Sequence, residues 1–105
     1  MPIENKRLLI ELERAMKEIN RDTLNPLFKE LTPGDILPIM EMVSKARANY
    51  LKELFKLAKL SEEGQNLTPE LVKNLRFSRL IYDELIEASK ALDAAIERGY
   101  LDVEQ

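Results

Sequence analysis

The sequence predicts an all-α protein: an antiparallel long-helix hairpin with a packed N-terminal helix, a three- to four-helix bundle. Three observations predict it. Apolar residues recur at helical spacing along most of the chain. Trp is absent, and Thr and Val, three each, are sparse, so the residues that strands favour give a sheet little support. Thr-Pro pairs and glycines punctuate the periodic stretches where helices should open and close. At 105 residues the chain has the length of one helical domain, residues 1–105, with a modest core that oligomers commonly supplement.

The first helix is expected from about Glu4 to Asn20, where Leu8, Leu12, Ala15 and Ile19 share a face. The connector RDTLNPLFKELTPGD follows, and within it NPLFKEL should form about two helical turns with Pro26 at the first position. "LTP" occurs twice, at Leu31-Thr32-Pro33 and Leu67-Thr68-Pro69. Each threonine can cap a helix whose first residue is proline, and Asp35 and Glu70 place negative charge in the first turn. The apolar registers downstream of the two segments diverge, so "LTP" is a capping signal used twice rather than a structural repeat. Pro38 leaves two starts open for the second helix, Thr32 or Asp35 as the cap, because a proline deeper in a helix clashes with the preceding turn.

The second helix should then run to about Leu60 and the third from Pro69 to Arg98, with Gly99 as a left-handed cap. The tail from Tyr100 either folds back or frays. The expected apolar stripe of the second helix is Ile36, Ile39, Met40, Val43, Tyr50, Leu51, Leu54, Leu57 and Ala58. That of the third is Phe77, Ile81, Tyr82, Leu85, Ala88, Leu92, Ala95 and Ile96. At 1.5 Å per residue the third helix would be about 45 Å long and the first only about 25 Å. A short helix cannot cover two longer ones, so the uncovered apolar surface must meet the Phe28 connector, the tail or a second copy, and a homodimer is the expectation favoured among these.

Composition excludes several chemistries. There is no Cys and no His, so thiolate and Ser-His-Asp catalysis and Cys- or His-ligated metals are ruled out. The three glycines stand singly, in turn positions, and form no phosphate-binding loop. Asp83, Glu84 and Glu87 in DELIE have carboxylate spacing suited to a helical metal site. The second helix, however, offers only Glu41 and Glu53 as a matching pair, and solvated carboxylates are the ordinary reading. No catalytic residue, metal site or cofactor is expected. The longest apolar run near the N-terminus is Leu8-Leu9-Ile10, too short for a signal peptide or a membrane span, so a cytoplasmic location without membrane contact is expected.

Charge is unevenly distributed. Residues 45–79 hold eight basic and four acidic side chains, a net of +4, which leaves −7 for the rest of a chain of net charge −3. The hairpin would bring Lys52, Lys56, Lys59, Lys73, Arg76 and Arg79 to a basic pole at its loop end. That pole could contact phosphates or an acidic protein surface, although a pI of about 5.1 argues against a nucleic-acid module. Arg47 falls within the apolar stripe and needs a partner. Glu84 is the expected carboxylate, as a structural pair or as a polar pair in an interface. The expected role is a small non-catalytic interaction protein, an adaptor, chaperone-like subunit or regulator acting through a protein partner. The alternatives are a nucleic-acid-associated regulator using the basic pole and a divalent-metal-dependent helical enzyme.

Overall fold

The structure, a computed structural model, describes residues 3–104. Three α-helices make up most of it: α1 (Ile3–Leu24), α2 (Pro33–Glu62) and α3 (Pro69–Glu97), with one 3-10 turn at Asn25–Leu27. Among the described residues the only strand-like pairing is a single parallel bridge between Leu31 and Val103. The described residues form two compact units. One holds residues 37–90, and the other holds residues 3–36 together with residues 91–104.

The hairpin unit is built on a regular seam. From 37 to 62 only Ile39, Val43, Ala46, Tyr50, Glu53, Leu57 and Leu60 are shielded from solvent, and every other residue is exposed. Their spacing alternates between three and four residues, the 3.5-residue period of a left-handed coiled coil. The third helix answers with Leu71, Leu75, Ser78, Tyr82, Leu85 and Ser89, and Val72 and Ile86 are half-buried beside them. Two polar members of the seam find partners locally. The Ser89 hydroxyl donates to the Leu85 carbonyl at 2.8 Å, which satisfies it without a cross-helix bond. Glu53 accepts from Lys56 Nζ at 3.2 Å.

Met40, Leu51, Leu54, Ala58, Phe77, Ile81 and Ala88 were expected on the inner stripes, and all of them are exposed. They belong to rows next to the seam. Polar residues within the seam, Glu53, Ser78 and Ser89, hide its true phase from a simple count of apolar positions.

Helix ends follow local chemistry. Thr68 caps α3, its hydroxyl accepting from the Leu71 amide at 3.3 Å. Thr32 is the residue before α2, so Pro33 opens that helix and Pro38 lies inside it. Here the carboxylate of Asp35 reaches back to accept from the Thr32 amide at 2.9 Å, the reciprocal half of a capping box. Gly64 and Gly99 take left-handed conformations, φ 87° and 75°. Each closes its helix with paired bonds, Gly64 to Ser61 with Gln65 to Leu60, and Gly99 to Ile96 with Tyr100 to Ala95.

In the other unit α1 runs four residues beyond the expected Asn20. The NPLFKEL segment forms only the 3-10 turn instead of two helical turns. Phe28 is extended (φ −129°, ψ 147°), and the backbone beyond it is committed elsewhere. The Leu31 amide donates to the Asp102 carbonyl at 2.9 Å, and the Glu104 amide donates to the Leu31 carbonyl at 2.8 Å. The tail therefore folds back, with Leu101 buried. Arg21 near the end of α1 holds it, donating to the Gly99 carbonyl at 3.0 Å and to the Asp102 carboxylate at 2.6 Å.

Candidate interaction surface

Arg47, expected to pair with Glu84, reaches a different group. Its Nε donates to the Tyr82 hydroxyl at 3.1 Å, and its guanidinium lies 5.6 Å from the Tyr82 ring centre. Tyr82 in turn stands against Tyr50, ring centres 5.9 Å apart and tilted by 40°. No ion pair joins Arg47 to Glu84 among the described residues. The reason is angular: two residues along a helix turn by about 200°, so Glu84 projects away from the seam that Tyr82 occupies. Glu84 is exposed.

Four of the six basic residues line two shallow depressions. Lys56 and Lys59 line a shallow depression of about 400 Å³ with Leu60 and Glu63. Arg76 and Arg79 line another, of about 240 Å³, with Tyr50, Val72 and Leu75. Lys52 is exposed on α2, and Lys73 is exposed on α3. Local acids temper some of this charge: Glu53 takes Lys56, and Asp83 lies 3.9 Å from Arg79. In the other unit a groove of about 470 Å³ is lined by Glu13, Met16, Lys17, Arg98 and Tyr100.

In the tail clamp the titration of a side chain is displaced. Asp102 is held below the ordinary aspartate range, first by the hydrogen bond from Arg21 and then by that from Asn25. Asn25 donates to it at 3.1 Å and also accepts from the Asp102 amide at 3.0 Å.

The dominant surface feature is apolar. Among the described residues only Ala46, Leu57, Ala95 and Leu101 are buried. Leu8, Leu12, Met16 and Ile19 on α1, Met40, Leu51 and Leu54 on α2, and Phe77, Leu80 and Ile81 on α3 are all exposed. Scattered exposed apolar side chains are ordinary, but rows of them at helical spacing mark contact surfaces. The sequence places most of these residues on apolar stripes longer than the first helix can cover, and it leaves Leu80 off-stripe. Nothing among the described residues gathers three acidic side chains to hold a metal ion. No described helix is long and apolar enough to cross a membrane. Comparison with known proteins finds no matching family model, no matching curated protein and no matching solved structure.

Proposed function

We propose that the protein is a small, non-catalytic helical interaction module that self-associates as a homodimer and works in the cytoplasm through protein–protein contacts. One observation carries this reading: apolar rows on every helix stand in water while, among the described residues, four are fully buried. Burial of apolar surface is the main favourable term in both folding and association. A chain that leaves so much of it outside gains stability by association, and its helices are well suited to supply the contact.

Light scattering on the purified chain tests the dimer, with an expected mass near twice the 12.2 kDa of the single chain. Co-purification from the native host tests for a further protein partner. A single-chain mass at micromolar concentration, together with no co-purifying protein, would end this reading. A gel shift that weakens steeply with salt and with Lys56→Glu or Arg79→Glu would move the function to nucleic acid.

A further inference from the structure

The self-association reading can be taken to a particular face. We propose that the second copy docks on the outer face of α3, antiparallel, about a two-fold axis at Leu80. Phe77, Leu80 and Ile81 form the apolar centre of that face, 64%, 51% and 44% exposed. The charges around them are arranged in mirror order. Arg76 and Glu84 stand four residues either side of Leu80, Lys73 and Glu87 seven, and Glu70 and Lys90 ten. Each pair joins opposite signs. Steps of four and seven residues return to nearly the same side of a helix, within about 40°, so the inner two pairs flank Leu80 on its own face.

An antiparallel partner would set Arg76 against the partner's Glu84 and Lys73 against the partner's Glu87, twice over by symmetry. A parallel partner would set like against like, which charge placement penalises. Glu70, Lys73, Arg76 and Glu84 have no ion-pair partner among the described residues, and Glu87 has only the exposed contact from Lys90 at 3.2 Å. Opposite charges at these positions therefore remain available to a second copy.

The other apolar row of the hairpin fits self-pairing less well. Met40, Leu51 and Leu54 share their side of α2 with Arg47, and the rest of that helix is rich in lysine, at Lys45, Lys52, Lys56 and Lys59. Two such helices together would repel. Pairing the α2 row of one copy with the α3 face of another joins two different patches, which propagates rather than closes. Of the two hairpin rows, the α3 face is the one complementary to itself.

Charge reversal tests the register. Arg76→Glu and Glu84→Arg should each weaken the dimer roughly tenfold at low salt, because each sets like charges together at two symmetric places. Mixing the two single variants should restore association as a heterodimer, and the double variant should dimerise with itself. The chain has no cysteine, so Leu80→Cys introduces a lone thiol at the axis. It should cross-link to its copy under mild oxidation, while Leu54→Cys should not. Sedimentation velocity reads the first set and non-reducing electrophoresis the second. A wild-type dimer indifferent to both reversals, or one cross-linked through Leu54→Cys and not Leu80→Cys, overturns the α3 interface and leaves self-association standing. A wild-type monomer removes both.

Discussion

Arg47 and Tyr82 meet twice, through a hydrogen bond of 3.1 Å to the hydroxyl and through the guanidinium 5.6 Å from the ring centre. The contact ties the two arms of the hairpin beside the Tyr50–Tyr82 pair. A double-mutant cycle with Arg47→Gln and Tyr82→Phe should give a coupling of about 0.5–1 kcal/mol in urea unfolding, typical of an exposed bond of this kind. Zero coupling would show that solvent competes the bond away.

Leu57 is one of the few buried side chains and lies on the seam of the hairpin. Leu57→Ala should cost about 2–3 kcal/mol, near the low end for a core leucine because the surroundings are thinly packed. Phe55, 71% exposed on the same helix, should differ sharply. Phe55→Glu is expected to change stability by less than about 0.5 kcal/mol. Thermal unfolding of the two variants side by side checks the contrast, and similar losses would mean that Phe55 is packed.

Thr68→Ala should cost about 1 kcal/mol through loss of the cap on Leu71. Thr32→Ala should cost less, since the Thr32 hydroxyl bonds the Asp35 carboxylate at 3.1 Å and leaves the backbone amides of its helix alone. Circular dichroism melts of the pair would reveal a reversed order if the two caps were equivalent.

Gly64 and Gly99 both need left-handed backbone, so an alanine at either should cost about 1–2 kcal/mol. Gly99→Ala should cost slightly more, because its Cβ would meet Lys17 Cε at 3.3 Å, whereas at Gly64 that space is open. Equal losses would show that Lys17 simply moves aside.

The tail clamp has a pH dependence with a definite sign. The carboxyl of Asp102 titrates lower in the folded chain than in the unfolded one, because Arg21 and Asn25 bond its charged form. Its stabilising effect is therefore complete above the ordinary aspartate range. It fades as the pH falls through that range toward the lower folded value. Amide exchange at Leu31 and Glu104, whose bonds join connector and tail, should accelerate over that acidic window. Asp102→Asn should accelerate it already at neutral pH, and exchange that ignores both changes would dissociate the clamp from the bridge.

The helices were legible in the sequence because their signals are local. Thr-Pro openings, glycine closings and apolar periodicity each act within a turn or two, and the third helix ended within one residue of expectation. The inner face of the hairpin was less legible. A seam and its neighbouring row differ by one residue, and Ser78, Ser89 and Glu53 occupy seam positions that apolar counting passes over. The partner of Arg47 was legible to within two residues, but that interval turns a helix halfway round. The fold-back of the tail depends on Leu31, Asp102 and Glu104 meeting over a long stretch of chain, and no local pattern encodes that. The order of charges about Leu80 is plain in the sequence, yet it acquires meaning only once Leu80 is seen to face solvent.

The narrow seam also determines how the chain responds to heat. Among the described residues most of the hairpin seam is half-buried rather than fully withdrawn from water, so a single subunit hides less apolar area than a close-packed domain of its size. Its heat-capacity increment should fall below the usual ~12–15 cal/mol/K per residue, and its stability curve should be correspondingly flat. For the dimer proposed above, unfolding is coupled to the parting of two copies, so the midpoint should climb with protein concentration.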